Sequence, residues 1–369
     1  MRRLKVIAVG SLLICVGLVL FLFWHAYKSN APVSTEELFR DDEAAQARRA
    51  ADNFVSIIQQ TATTYAARGA HAKGHACVKA YLQVEEMPDD GLQHGIFSLH
   101  GHRYKTWIRF SNGSSDLVKS DDRRKDSRGM AIKVFNTQAR AEDWVEGSAL
   151  TQDFLMHSNP VFFSANVDDY NALVESDNKI LSFFDSWNPL KWRIRELMHV
   201  FDTLAPPPPS PLEDEYFSNT AYRLGPHNIK FRARPCAQAA RQKPKSNNDH
   251  PDFLSRVMAE QLQHDSACFE FQVQLQVPGK NMPIEDPSVE WQETDSPWRR
   301  VASIEIPKQD FNNKDQSSLC ENLSFSPWNS LTVHRPLGEL NRIRKQVYEA
   351  SSTYRHRANN TSVPSNIAW

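Results

Sequence analysis

Two stretches that lie far apart in the chain carry residue types that could perform chemistry together. Near the beginning, Arg68 and Lys73 flank His71, whose side chain gains and loses protons near neutral pH. Near the end, Arg344 precedes Tyr348 by four residues, and residues four apart on a helix lie on the same face. One stretch therefore offers a proton carrier, and the other offers a phenol beside a cation.

The Arg344–Tyr348 pair has the spacing that an iron–tyrosinate bond needs. A free phenol has a pKa of about 10, so a tyrosine alone is a poor anionic ligand at neutral pH. A nearby guanidinium favours the phenolate, and a ferric ion favours it further. The same spacing also occurs on ordinary helices, where a surface arginine lies beside a half-buried ring. For the motif alone, this second interpretation stays open.

His71 is the candidate for the opposite side of a haem. Haem peroxide chemistry needs one group that takes a proton from the incoming peroxide and returns it to the departing oxygen. Arg68 and Arg109 could bind haem propionates, because a guanidinium pairs its N–H groups with a carboxylate. For any one of the 13 histidines, the alternative is a structural hydrogen bond in the core or at the surface.

Composition and charge indicate a folded body. The chain has 369 residues, of which 40% are hydrophobic and 24% charged, which is enough for one large domain or two ordinary ones. Its 43 basic and 44 acidic residues give a formal net charge of -1. This balance gives no electrostatic case for binding nucleic acid.

The N-terminal region has a different composition. An almost unbroken apolar run from Val6 to Trp24 follows three basic residues. The run is long enough to cross a bilayer as a helix, and the basic residues favour an N-terminus on the cytoplasmic side. We therefore expect residues 1–30 to form a membrane anchor and residues 31–369 to form the haem-binding domain outside the cytoplasm, in the periplasm if the source is bacterial. A cleaved signal peptide is the alternative, although its apolar core would be shorter and would end in small residues.

Cysteine usage fits an oxidising compartment. The body contains Cys77, Cys236, Cys268 and Cys320, which could form two disulfides with three possible pairings. Buried free thiols are the alternative, and the wide spacing argues against a zinc site.

The pattern of apolar residues predicts short strands between two long helices. Ser34 and Glu37 form a capping box that predicts a helix running to about Ala67, and a last helix is predicted from about Leu337 to Arg355. Alternating or aromatic-rich runs predict strands in six segments. These are 76–84, 104–110, 129–135, 222–234, 269–277 and 301–306. The fold class is therefore α+β, with an antiparallel sheet or barrel at the centre and flanking helices.

Several of these stretches together resemble the haem catalases, in family order and over about residues 34–357. The resemblance rests on five segments. They are His71-Ala72-Lys73-Gly74, Ile108-Arg109-Phe110-Ser111, Asp126 to Lys133, Gln152 to Phe163, and Leu323 to Pro327 continued through Arg344, Tyr348 and Arg355. The resemblance implies a catalase-like antiparallel β-barrel core, preceded here by the predicted transmembrane helix.

The resemblance also implies a role for individual residues around haem b. Tyr348 would be the axial iron ligand, with Arg344 as its charge partner, and His71 would be the general acid–base. Further binding and catalytic roles are implied for the remaining matched positions. They are Ser111 as hydrogen-bond partner of the histidine, Asn159 as distal amide, Arg68, Arg109 and Arg355 as propionate ligands, and Phe163 as a haem contact.

The chain departs from the catalase pattern at the distal amide. Where the family has Asn-Asn-Thr-Pro, this chain has His157-Ser158-Asn159-Pro160. Strict alignment places Ser158 at the distal asparagine, and a slip of one residue at a bulge would bring Asn159 there instead. Ala70 replaces the threonine that precedes the histidine in relatives that rearrange fatty-acid hydroperoxides, which favours peroxide reduction over rearrangement.

The resemblance implies a haem-dependent, peroxide-degrading enzyme. The chain is shorter than typical catalases, so we expect a short catalase-related peroxidase with a more open pocket. It would reduce hydrogen peroxide or organic hydroperoxides through a ferryl intermediate, with an organic electron donor as a further partner. The alternatives are a fatty-acid hydroperoxide-rearranging enzyme and a non-catalytic haem-binding protein.

Overall fold

The computed structural model describes residues 15–24, 34–86, 90–117, 120–237, 249–365 and 367–369. Residues 15–24 of the apolar run are helical and largely exposed, whereas residues 6–14 of the predicted anchor lie outside the described residues. Within these described ranges, none of the helices has the length and apolar character needed to span a membrane.

One antiparallel sheet forms the centre of the described structure. Its strands are β1 (Gly74–Val84), β2 (Arg103–Asn112), β3 (Arg128–Val134), β4 (Gln152–His157), β5 (Tyr216–Phe217), β6 (Tyr222–Leu224), β7 (His227–Pro235), β8 (Ala267–Leu275) and β9 (Arg299–Ile306). The order across the sheet is β5-β4-β3-β2-β1-β9-β8-β7-β6.

The two-residue strand β5 closes this sheet into a barrel. Phe217 pairs with His157 of β4 and with Arg232 of β7, and Tyr216 pairs with Ala233. Eight strands therefore form a closed ring, and β6 extends β7 as a hairpin outside it. Closure pairs the strand edges that an open sheet would leave free. The expected antiparallel barrel is confirmed.

Alternation along each strand sends apolar side chains into the barrel. Phe97, Phe154, Phe231 and Phe271 meet inside, with ring centroids of Phe154 and Phe271 4.8 Å apart. Burying each such ring stabilises the fold by roughly 2–3 kcal/mol. Because successive side chains point to opposite faces, the intervening residues line the outer surface, and this surface carries the site described below.

Helices cover that outer surface. They are α1 (Glu43–Thr61), α2 (Val167–Glu175), α3 (Ile194–Thr203), α4 (Phe253–His264), α5 (Lys314–Asn322) and α6 (Glu339–Ala358). The small residues Ala47, Ala50 and Ala51 of α1 pack against Ile343 and Val347 of α6. The last predicted helix is therefore confirmed.

The predicted capping box is wrong. Helix α1 begins at Glu43, and the Ser34 hydroxyl instead accepts the N–H of Glu36. The Glu37 carboxylate lies 2.6 Å from Arg335 and 3.0 Å from Arg342, which hold its pKa low despite burial. Ion pairs with the far end of the chain thus outweigh the local helix signal.

The four cysteines of the body form two disulfides, which is one of the alternatives that the sequence left open. Cys77 on β1 pairs with Cys320 on α5, and Cys236 pairs with Cys268 on β8. The first bond ties α5 to the outer face of the barrel. Cys15 is free and exposed.

Candidate functional site

A cavity of about 470 Å³ lies between the outer face of β2, β3 and β4 and the helices α1, α2 and α6. Its volume is within the range of small-molecule and cofactor sites. Every site residue predicted from the sequence lines this one cavity. They are Arg68, His71, Arg109, Ser111, Asn159, Phe163, Arg344, Tyr348 and Arg355.

Helix α6 supplies the tyrosine wall. Arg344 donates a hydrogen bond to the Tyr348 phenol oxygen over 3.0 Å, as the spacing predicts. Arg344 also donates to Asn341 Oδ1 at 3.0 Å, and the Asn341 amide donates to the carbonyls of Ala221 and Leu337. Burial opposes the charge of Arg344, but the neighbouring phenols of Tyr348 and Tyr222 together outweigh it and hold the pKa of the guanidinium above its ordinary value. The cation beside the phenol is thus fixed in place and permanently charged.

The barrel supplies the histidine wall. His71 has a φ of 54°, a left-handed conformation that the hydrogen bond from its N–H to the Gly113 carbonyl helps to hold. Its ring Nδ1 lies 3.1 Å from the Ser111 hydroxyl on β2. A Cβ atom on Gly129 of β3 would lie only 2.5 Å from that nitrogen, so a side chain there would displace the ring. Glycine at this position is what lets the imidazole lie against the sheet.

His71 is poised as a base. Burial, followed by the charge of Arg109, lowers its pKa to about 4. The ring is therefore neutral at neutral pH and can accept a proton. With Nδ1 held by Ser111, Nε2 is left for a substrate.

The sequence analysis missed a second histidine in the cavity. The strand register aligns Ser111, Gly129 and His157 in one row on the outer face. The His157 ring centroid lies 4.7 Å from that of His71, at an interplanar angle of 60°. The alternation of β4 gives the signal that could have found it, because Phe154 and Met156 point inward and His157 must point outward.

The two residues after His157, which were the candidates for the distal amide, lie in different surroundings. The Ser158 hydroxyl accepts the backbone N–H of Arg128, and Ser158 does not belong to the lining of the cavity. Asn159 does line the cavity. Its Oδ1 accepts the N–H of Val161, and its Nδ2 lies 3.5 Å from the hydroxyl of Thr203.

Three arginines converge at another edge of the cavity around one carboxylate. Arg68 lies 2.6 Å from Glu321 and Arg109 lies 3.6 Å from it, while Arg355 donates to the Glu321 carbonyl. Burial and the charge of Arg68 lower the pKa of Arg109 to about 9 and that of Arg355 to about 10. The buried Nε of Arg109 has no hydrogen-bond partner among the described residues. Three cations against one anion leave room for two more carboxylates, which suits a group with two propionates.

Aromatic rings form a further wall of the cavity. The rings of Phe162 and Phe163 lie 4.4 Å apart and are stacked, and Tyr170 lies 6.0 Å from each. Burial raises the pKa of Tyr170, so its phenol stays neutral. Flat apolar walls, a cationic edge and the Arg344–Tyr348 pair are together the features that fit haem.

Comparisons with known proteins agree with this geometry. A family model described as Catalase matches residues 57–368. A fungal catalase (17% identity, TM-score 0.61) covers 89% of this chain and 66% of its own length. For catalase A from Saccharomyces cerevisiae the identity is 18%, the TM-score 0.61, and the shares 89% and 68%. For a bacterial catalase they are 14%, 0.61, 93% and 67%.

The chain thus spans about two thirds of the length of these solved structures. At such low identities the structural likeness concerns the fold alone. No curated protein sequence matches the chain significantly.

Proposed function

Because the chain belongs to the catalase family, we propose that its cavity binds haem b and that the protein degrades peroxide with it. One observation carries the proposal. Nine residues predicted from distant parts of the sequence all line a single cavity, with the tyrosine and the histidine on different walls.

Helix α6 would hold the cofactor by its iron. Tyr348 would ligate the iron through its phenol oxygen, and Arg344, which donates a hydrogen bond to that oxygen over 3.0 Å, would stabilise the negative charge of the ligand. When bound, the iron supplies the electron transfer that cleaves the O–O bond of peroxide. Arg68, Arg109 and Arg355 would pair with the propionates, and Phe163 would contact the ring.

The barrel wall would manage the proton. His71 is neutral at working pH, accepts the proton of an incoming peroxide and returns it to the departing oxygen. Ser111 holds the ring in orientation through Nδ1. Asn159 lines the same cavity and would offer its amide to the substrate.

Exposed apolar side chains of α3 close to the end that lines the cavity favour organic hydroperoxides as further substrates. Thr203 and Leu204 line it at the end of α3, and Leu204, Phe201 and Met198 have 41%, 54% and 42% of their surface exposed. An apolar rim favours substrates and electron donors with apolar groups. We infer that the protein acts as a peroxidase on such molecules in addition to hydrogen peroxide.

A haem titration and an oxygen trace test the proposal. Purified protein should bind one haem with the absorption spectrum of a ferric tyrosinate complex, and Tyr348→Phe should lose that spectrum. Tyr354→Phe, on the same helix but outside the cavity lining, is the matched control. Oxygen release from hydrogen peroxide alone identifies catalase turnover, and consumption only with an added donor identifies peroxidase turnover. Haem binding without either reaction would contradict the enzyme proposal, and no haem binding would contradict all of it.

We further propose that residues 6–24 anchor the protein in a membrane, with the haem domain outside the cytoplasm. The two disulfides support an oxidising compartment. In fractionated cells, the full chain should sediment with the membranes. Protease added to the non-cytoplasmic side of the membrane should digest the haem domain. Recovery of the intact full-length chain in the cytosolic fraction would contradict this location.

A further inference from the structure

A second histidine, His157, lies beside His71 on the barrel wall of the cavity. His157 ends β4, where its backbone pairs with Gly129 on one side and with Phe217 on the other. Its ring lies 4.7 Å from that of His71, and both rings line the cavity. In the part of the chain that is described, no hydrogen bond fixes either ring nitrogen of His157 to the protein, whereas His71 Nδ1 is held by Ser111.

An imidazole can do something at this position that an amide cannot. An asparagine side chain donates and accepts hydrogen bonds but never takes up a proton, whereas a neutral imidazole offers one N–H donor and one basic nitrogen. His157 therefore provides a donor and an acceptor, as an amide does, and adds a base.

The charges around the two rings limit how many protons they hold. Burial lowers the pKa of His157, and the charge that His71 would carry lowers it further, as does Arg344. Burial also lowers the pKa of His71, and the charges of Arg109, Arg344 and Arg68 lower it further. The other titratable and charged residues that line the cavity with the two rings are Arg68, Arg109, Asp126, Tyr170, Arg344, Tyr348 and Arg355. Cations outnumber anions, so two imidazolium ions side by side would repel each other and their neighbours.

We propose that His71 and His157 form a distal pair that carries one proton at a time, in which His157 accepts the proton of the reducing substrate after His71 has returned that of the peroxide. The proposal rests on the proposed function. With hydrogen peroxide in both roles, one molecule gains two electrons and two protons, its O–O bond breaks, and two waters form. The other loses two protons and two electrons and becomes O2. His157 takes up one of these protons, and a phenolic donor would deliver its proton in the same way.

A titration of the haem-free full-length protein tests the pair independently of turnover. The imidazole NMR signals of ¹⁵N-histidine-labelled protein are followed with pH in the wild type and in His71→Asn, since asparagine tolerates the left-handed backbone. Removing the charge of His71 should move the titration midpoint of His157 to higher pH. The exposed His100→Asn is the matched control and should leave it unchanged. An unchanged midpoint in His71→Asn would overturn the pair.

Kinetics of the haem-loaded protein test the role. His157→Asn replaces the imidazole with an amide and should keep haem binding and the KM for peroxide. Its kcat should fall at least about tenfold, and the pH profile of kcat should lose its acid limb. A wild-type kcat and pH profile in His157→Asn would overturn the role of His157. If the wild type itself consumes no peroxide, the proposed function fails, and the NMR titration still decides whether the rings share a charge.

Discussion

Arg344 and Tyr348 are joined by a 3.0 Å hydrogen bond along one face of α6, and Asn341 holds the guanidinium from its other side. The phenol therefore faces a cation that cannot move away or lose its charge. This relationship separates Tyr348 from an ordinary half-buried tyrosine.

Replacing Arg344 with glutamine should make haem binding depend on pH. Without the cation, a phenolate ligand would lose the positive charge that faces it, so haem binding through the phenolate would need a higher pH. Arg344→Gln should bind haem tightly only above neutral pH, whereas the wild type binds across the neutral range. Spectral titration with haem at pH 6 to 10 measures this, with Arg357→Gln on the same helix as control. Identical pH dependence in wild type and Arg344→Gln would show that the guanidinium does not support the ligand.

A methyl group on Gly129 should disable the distal wall without removing the cofactor. The Cβ would lie 2.5 Å from His71 Nδ1 and 2.9 Å from the Ser111 hydroxyl, so the ring must shift. We expect Gly129→Ala to keep the haem spectrum and to lose about 100-fold in peroxide turnover, since misplacing a catalytic group by about 1 Å has effects of this size.

Ser111→Ala is the graded comparison, because it removes the hydrogen bond without adding a clash. Its peroxide turnover should fall about tenfold, which is within the range that the loss of one hydrogen bond produces. Wild-type turnover in Gly129→Ala would mean that His71 is not the proton carrier.

Replacing Glu321 with glutamine should strengthen haem binding and weaken the haem-free fold. The carboxylate offsets part of the positive charge of Arg68 and Arg109, and haem propionates would compete with it for these two guanidinium groups. Glu321→Gln should therefore bind haem on the order of tenfold tighter, which corresponds to about 1.4 kcal/mol. Glu305→Gln, which breaks an exposed ion pair with Arg103, is the control. An unchanged Kd for haem would show that Glu321 and the propionates do not compete.

The same carboxylate predicts an acid dependence. Burial raises the pKa of Glu321, but the three arginines outweigh it and hold the pKa below its ordinary value. Its contribution to stability is thus present above the unfolded pKa of about 4.3 and is lost as pH falls through the lower folded pKa. The melting temperature of the haem-free wild type should drop more steeply in that acid range than that of Glu321→Gln.

The two disulfides should differ in their effect on haem. Carbonyl groups of Cys320 and Leu323 accept hydrogen bonds from Arg68, each at 3.0 Å, so the bond to Cys77 helps to fix the cationic edge. Removing either disulfide should cost about 2–5 kcal/mol of stability. Only the double variant Cys77→Ser/Cys320→Ser should also weaken haem binding.

The double variant Cys236→Ser/Cys268→Ser is the control, since that bond lies away from the cavity lining. Urea unfolding and haem titration of both variants separate the two effects. Equal haem affinities would show that the position of α5 does not matter for the cofactor.

Patterns that depend on repetition or on several motifs in order were predictable from the sequence. Alternation predicted the segments that form β1, β2, β3, β6, β7, β8 and β9 but neither β4 nor β5. The ordered motifs predicted His71, Arg344 and Tyr348, which the fold then brings to one cavity. His157 was missed because its stretch was compared with a family motif and not with the parity of its own strand. Along β4, that parity alone assigns it to the cavity face.

Features that depend on partners far away in the sequence could not be predicted from it. Glu321 occurs on a polar helix with no informative spacing, and only the fold brings it to Arg68, 253 residues away. Glu37 reads locally as part of a capping box, but Arg335 and Arg342 bind it from the other end of the chain. In both cases a tertiary ion pair decides what local sequence cannot.

The barrel closes at one seam through the two-residue strand β5, which consists of Tyr216 and Phe217. Elsewhere in the ring, the longer strands are paired along most of their length. Short pairing means that amide hydrogens should exchange there before those of the neighbouring strands. The seam touches β4 at His157, so the most easily opened part of the ring borders the chemistry. Opening of this seam would therefore displace His157 from its place in the cavity wall while the longer-paired strands of the barrel stay closed.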